Sequence, residues 1–327
     1  MSMMLDEIHE EPDIIIPTYE HNIESISRSC GMIRESKVVY ITGSGTSFHA
    51  AEFLGMLLLK SGIPAVAVQA SDYSELIPGG FNGSAVNVIF SQSGESIDAL
   101  SDLTLSRKHG IRVIGVTNEP GSRLAGESDI AIVTKAGTER SVAATKSHTA
   151  QLVAALILYC RLNGIDPEGK LKGIRDGILE IFNKEENIQR ISRDMSDRVV
   201  ILGSGMDFPV AMEGDLKFKE TSGINVESHS TREYLHGPIH RLDEKYSVIL
   251  MRGDEGKDIT VLRRISGITD NIITIGSGDS CLMIPEIGRT ERPLLYLTVM
   301  QLIANFKAFS LGMDPDHPEN LTKVVRE

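Results

Sequence analysis

Short apolar, β-branched runs alternate along this chain with longer helix-like stretches. "VVYITG" (38–43), "VNVIF" (86–90) and "IRVIGVT" (111–117) read as strands, and each leads through a turn into a helical pattern. The same series then recurs as "VVILGSG" (199–205), "SVILMRGDE" (247–255) and, more weakly, "DNIITIGS" (270–277). Gly43-Ser44-Gly45 matches Gly203-Ser204-Gly205 at an offset of 160 residues, and Phe48/Phe208 and Ala51/Ala211 keep that offset. "KSGI" (60–63) matches "TSGI" (221–224) with one extra residue in the second copy. Each half therefore runs strand, glycine turn, helix, strand, loop, helix, strand. Apolar strands alternating with helices imply a parallel sheet covered on both faces. The predicted fold class is α/β, two tandem units, each a parallel sheet flanked by helices. The boundaries are a helical arm over 1–30, a first unit over 31–162, a charged, helix-rich linker over 163–194 and a second unit over 195–327.

The 327 residues suffice for two domains, and 41% hydrophobic with 24% charged residues fits a soluble globular chain. The net charge of −12 argues against a nucleic-acid or anionic-membrane binder, since neither attraction nor counterion release would help. A small anion remains possible through local backbone donors. The three cysteines, Cys30, Cys160 and Cys281, have no metal-type spacing, so no zinc site is expected. Their odd number and the acidic N-terminus without a signal-type apolar segment point to the cytoplasm. The longest apolar run, Leu152 to Cys160, is too short for a membrane span and reads as a buried helix.

Candidate chemistry differs between the two copies. The first carries "FSQSGES" (90–96), with Ser91, Ser93 and Ser96 at a strand-to-helix junction; the second has "MRGDEG" (251–256), with no serine. Ligands of parallel α/β sheets bind beyond the C-terminal strand ends, where helix-start amides favour anions. One serine would serve as a helix cap, and three exceed that need, which favours a phosphate monoester. Thr46 and Ser47 add hydroxyls at the neighbouring strand end. Nucleotide motifs fit poorly: Phe48 stands where a dinucleotide fingerprint has its third glycine, and no phosphate-binding G-x-x-x-x-G-K-[ST] occurs.

The second copy supplies titratable groups. Glu213, Lys217 and Glu220 fall on one helix face, either as a solvated ion-pair ladder or as part of a site. His236 precedes Gly237-Pro238, a rigid turn that suits a proton shuttle, whereas His240 reads as structural. The tail "GMDPDHPENLTKVVRE" (312–327) is polar and contains two prolines, so on composition alone it would be disordered and Lys323 merely solubilising.

Taken together, "GSGTSFHA", "FSQSGES", "AGTERSVAATKSHT", "EGDLKFKETSGINVESHSTREYLHGPI" and "DPDHPENLTKVV" resemble the isomerase half of glucosamine-6-phosphate synthase, which consists of two sugar isomerase (SIS) domains. The likeness covers nearly the whole chain. It implies tandem SIS domains, each a flavodoxin-like three-layer α/β/α sandwich. It also implies that Ser91, Gln92, Ser93 and Ser96 bind a sugar phosphate with Thr46 and Ser47 beside them, and that Val142 lines the sugar pocket. Further implied roles are Glu220 moving a proton between C1 and C2, Lys217 assisting near the hydroxyls, and His236 opening the ring from the neighbouring subunit of a homodimer. Lys323, on an ordered tail, would reach the open-chain carbonyl and form an imine. Ala144 and Thr322 depart from the pattern, which has serine and alanine there. Residue 2 is Ser rather than the cysteine nucleophile of a glutaminase domain, and the expectation is that this chain lacks that domain. The same site chemistry would then release ammonia, as a glucosamine-6-phosphate deaminase yielding fructose 6-phosphate. Alternatives are a synthetic isomerase or aminotransferase working with a separate glutaminase chain, a fructosamine-phosphate deglycase, and a non-catalytic sugar-phosphate sensor. No cofactor, metal, nucleic acid or membrane partner is expected.

Overall fold

The computed structural model describes residues 2–77, 84–253 and 255–323. Asp254 of the "MRGDE" turn and the last residues of the tail, 324–327, lie outside the described residues. In chain order the elements are α1 (Met3–His9), α2 (Glu11–His21), α3 (Ile23–Arg34), β1 (Val38–Gly43), α4 (Thr46–Lys60), β2 (Ala65–Gln69), α5 (Tyr73–Leu76), β3 (Ala85–Phe90), α6 (Ile97–Lys108), β4 (Arg112–Thr117), α7 (Arg123–Glu127), β5 (Ile130–Val133) and α8 (Lys146–Leu162). They continue as α9 (Glu168–Phe182), α10 (Glu185–Asp194), β6 (Arg198–Gly203), α11 (Phe208–Ser222), β7 (Asn225–Ser230), β8 (Ser247–Met251), α12 (Glu255–Ile265), β9 (Ile272–Gly276), β10 (Leu282–Met283) and α13 (Arg292–Ser310).

Two compact units form. One comprises residues 13–139, 144–172 and 322–327; the other comprises 1–12, 140–143 and 173–321. We call them the hydroxyl unit and the carboxylate unit after their chemistry. The hydroxyl unit holds a five-stranded sheet of order β2-β1-β3-β4-β5, parallel throughout. Its central strand β3 is buried at every position. Helix α8 is buried from Lys146 to Cys160, as its unbroken apolar run requires, and packs on α4 and α3. The carboxylate unit repeats the topology as β7-β6-β8-β9-β10, again parallel, with α13 buried along most of its length against α10 and α11. Two parallel five-stranded sheets flanked by helices are the predicted α/β fold. Among the described residues, no helix is long and apolar enough to cross a membrane.

The glycine turns that end β1 and β6 are required by close approach. A Cβ at Gly43 would lie 2.5 Å from the Ser47 carbonyl oxygen, and one at Gly203 would lie 2.7 Å from that of Asp207. Each helix therefore starts directly against its strand end, which sets its first-turn side chains at the C-terminal edge of the sheet.

Under that edge of the hydroxyl unit, Asp102 of α6 is buried. Burial pushes its carboxyl up to about 8, against the Thr42 hydroxyl and helped by the charge of Asp98. The folded chain thus holds a proton there that the unfolded chain releases near its ordinary pKa of about 3.9. The resulting stabilisation is complete below about pH 4 and is lost as pH rises to about 8, at about 1.4 kcal/mol per pH unit. Asp102→Asn is neutral throughout and should remove this slope. Denaturant unfolding of both proteins at pH 5 and pH 7 should show wild type losing about 3 kcal/mol relative to the variant; parallel pH dependences would refute it.

Candidate functional site

In the hydroxyl unit the turns after β1 and β3 lie side by side, because these strands are neighbours in the sheet. Ser44 Oγ donates to Asp98 Oδ2 at 3.1 Å, tying the first turn to the start of α6. Ser47 is buried and is held by Gln151 of α8, whose Nε2 donates to Ser47 Oγ at 3.0 Å. Thr46 begins α4 beside it.

The serine loop is folded by its own hydroxyls. Ser91 Oγ accepts from the Gly94 amide at 3.1 Å and lies 3.3 Å from Ser96 Oγ. Ser93 Oγ accepts from the Glu95 amide at 3.2 Å. The Gln92 carbonyl accepts from the Asn118 amide at 3.0 Å and from Thr117 Oγ1 at 3.1 Å. Gly94 has φ +62°, and a Cβ there would collide with the Ser122 side chain. Its left-handed backbone and its lack of a side chain are both needed for the loop to close. Ser96 is the N-cap of α6, so the loop ends where helix-start amides and the helix dipole favour an anion. The structure thus brings Thr46, Ser47, Ser91, Gln92, Ser93 and Ser96 to one sheet edge.

Glu139, to which the sequence pattern assigns no role, is held by several donors in the hydroxyl unit. It is buried, and Oε1 accepts from the amides of Thr145 and Ser147 at 2.9 and 3.1 Å. Oε2 accepts from Ser147 Oγ at 2.7 Å and from Lys323 Nζ at 3.1 Å. Burial opposes its charge, but the Lys323 ammonium and the donors of Ser147 and Thr145 outweigh it and hold the carboxyl below its ordinary range. A glutamate amid the hydroxyl residues of "GTERSVAATKS", just before a helix start, was the available signal.

In the carboxylate unit, Glu213, Lys217 and Glu220 do share one face of α11. It is not a solvated ladder. The side chains of Glu213 and Lys217 are 0% exposed and that of Glu220 is 20% exposed. Lys217 Nζ lies 3.1 Å from Glu213 Oε1 and donates to Glu220 Oε2 in a very short contact. Burial works against the Lys217 charge, but the carboxylates of Glu213 and Glu220 prevail and raise its pKa above the ordinary lysine value. The helix stays packed here because Gly214 leaves room: a Cβ there would sit 2.5 Å from Met300 Cε. His236 is exposed and ends a short turn, Glu233–His236, before Gly237 at φ +140°. Val142 lies in the segment 140–143, which Glu7 of α1 fastens: Glu7 accepts from the Arg140 amide at 2.5 Å and from Ser141 Oγ at 2.5 Å.

The second copy's equivalent of the hydroxyl cradle is filled from within. Asp207 stands at the offset of Ser47 and Gly253 at that of Ser93. Buried Asp207 pairs with Arg292, Oδ2 to Nη2 at 2.6 Å. A Cβ at Gly253 would meet both, at 2.5 Å from Asp207 Oδ2 and 2.8 Å from Arg292 Nη2. Burial pushes Asp207 up to about 6 even against the nearby guanidinium.

Comparison with known proteins agrees with this duplicated architecture. The family model of the SIS domain matches residues 32–161 and 195–263. The glutamine–fructose-6-phosphate aminotransferase (isomerizing) of Pyrobaculum aerophilum is 31% identical over 346 residues, which cover 98% of this chain and 57% of that protein. The chain thus spans little more than half the length of that curated relative. The C-terminal domain of glucosamine-fructose-6-phosphate aminotransferase from Francisella tularensis superposes with a TM-score of 0.88 at 27% identity, covering 97% of this chain and 98% of that one. Glucosamine-6-phosphate deaminase from Thermotoga maritima matches over 100% of both chains with a TM-score of 0.85; at 23% identity this is a likeness of fold.

Proposed function

Because this chain belongs to the SIS domain family, we propose that it is an aldose–ketose isomerase of phosphosugars, and specifically that it deaminates glucosamine 6-phosphate to fructose 6-phosphate and ammonia. The observation that carries this reading is the buried Glu213–Lys217–Glu220 group. The buried Lys217 ammonium donates to the partly exposed Glu220 carboxylate and fixes its position, which is what a base that removes a carbon-bound proton needs. Residues 31–162 are read as the phosphate-binding half, with Ser91, Gln92, Ser93, Ser96, Thr46 and Ser47 around the phosphate. Residues 195–327 are read as the proton-transfer half.

The steps follow from these roles. His236, contributed by the second subunit of a homodimer, assists ring opening to the C1 aldehyde, and Val142 lines the sugar. Glu220 takes the proton from C2 and returns it at C1, with Lys217 close to the reacting oxygen. This leaves an imine at C2. Lys323 acts at that carbon: its amine exchanges with the imine nitrogen and expels ammonia. Water then cleaves the lysine imine, giving the ketone and restoring the amine. Water is the bulk reactant, so without an ammonia donor at the site the exchange runs towards release.

A second reading, amination of fructose 6-phosphate, is favoured by the name of the Pyrobaculum relative. One experiment separates the readings. Purified protein is given glucosamine 6-phosphate, and ammonia and fructose 6-phosphate are measured; fructose 6-phosphate with ammonium is run in parallel. Equimolar ammonia and fructose 6-phosphate are expected. Turnover only in the reverse assay would favour amination. Tight binding without turnover in either would leave a sugar-phosphate sensor.

A further inference from the structure

We propose that Glu139 is a positioning residue for Lys323, holding its amine on the face of α8 that also holds Ser47. This rests on the role proposed for Lys323 above.

Three hydrogen bonds and one helical spacing within the hydroxyl unit carry the inference. Lys323 Nζ donates to Glu139 Oε2 at 3.1 Å across 184 residues of sequence. The same oxygen accepts from Ser147 Oγ at 2.7 Å. Ser147 and Gln151 lie one turn apart on α8 and so share a face. Gln151 Nε2 donates to Ser47 Oγ at 3.0 Å, in the turn beside the serine loop. Lys323, Glu139 and Ser147 are thus hydrogen-bonded in series, and one turn further along the same face of α8 Gln151 holds Ser47. Glu139 itself is immobilised: its side chain is 0% exposed, and its other oxygen is held by the amides of Thr145 and Ser147 at 2.9 and 3.1 Å. Lys323 is the more exposed partner, with a quarter of its side chain exposed. A fully enclosed, many-bonded carboxylate beneath a partly exposed lysine is the arrangement that fixes where the amine sits.

The bond change is a simple condensation. The Lys323 amine adds to the C2 carbonyl of open-chain fructose 6-phosphate, the C=O double bond breaks, water leaves and a C=N bond forms. Borohydride can then deliver hydride to that carbon, leaving a stable secondary amine that peptide mass spectrometry locates.

The test compares wild type, Glu139→Gln and Glu139→Asp. Gln retains an acceptor for the Thr145 and Ser147 amides, so the fold should survive. For Glu139→Gln, kcat on glucosamine 6-phosphate should fall roughly 10- to 100-fold, the scale expected when a reacting group is displaced by about 1 Å. KM should stay near wild type, because the phosphate cradle is untouched. Borohydride trapping of fructose 6-phosphate on Lys323 should fall in parallel. Glu139→Asp, which restores the charge on a shorter arm, should recover part of both. Unchanged kcat and trapping in Glu139→Gln, with wild type still trapped at Lys323, would overturn the positioning role while leaving Lys323 in the reaction. Absence of any Lys323 adduct in wild type would overturn the reading of Lys323 and this inference with it. A rise in KM with kcat unchanged would show that Glu139 serves binding instead.

Discussion

Glu220→Gln should lower turnover of glucosamine 6-phosphate by about 10²- to 10⁴-fold, the usual contribution of a positioned general base. Glutamine has nearly the same shape and keeps an oxygen for Lys217. The Glu213–Lys217 pair, at 3.1 Å, remains intact, so the protein should fold. Phosphate binding should persist, because the hydroxyls of Ser91, Ser93 and Ser96 belong to a different element. The measurement is steady-state release of ammonia, with binding of fructose 6-phosphate as the control. Undiminished ammonia release would remove Glu220 from the mechanism.

A larger structural loss is expected for Lys217→Met. Both Lys217 and Glu213 are 0% exposed at the side chain, so Met would leave a carboxylate enclosed without its cation. Breaking a buried pair from one side costs about 3–5 kcal/mol, because an uncompensated charge remains. In a unit of this size that corresponds to a fall in Tm of roughly 6–20 °C. Adding Glu213→Gln to the same chain should recover part of the loss by removing the orphaned charge. Thermal unfolding of the three proteins decides it. If Lys217→Met shifted Tm by only a degree or two, the two side chains would not both be charged in the fold.

The central strands were legible because they are buried on both faces. β1, β3 and β4, and their counterparts β6, β8 and β9, are apolar runs and are the three strands per half that the pattern predicts. The four it misses are all edge strands: β2, β5, β7 and β10. β7, "NVESHS", is polar and β10 is only two residues long, whereas β2 and β5 are apolar but short and only partly buried, so they lack the long buried run that marks a central strand. Site residues divide in the same way. The serine loop stood out because its repeat partner has no hydroxyl. The burial of Lys217 did not, since glutamates three and four residues from a lysine look the same on a wet helix as on a dry one. Glu139 was missed because the partner that explains it, Lys323, lies 184 residues away, beyond the reach of any local pattern.

The Asp207–Arg292 pair gives the duplication its asymmetry. There the Asp207 carboxylate and the Arg292 guanidinium fill the space beside Gly253 and pair with each other. On the proposed function, the two copies then differ in kind: the turn of the first keeps its hydroxyls available, while that of the second is closed by a pair of its own side chains. The buried Glu213–Lys217 pair on α11 thus belongs to the copy whose sheet edge is closed from within.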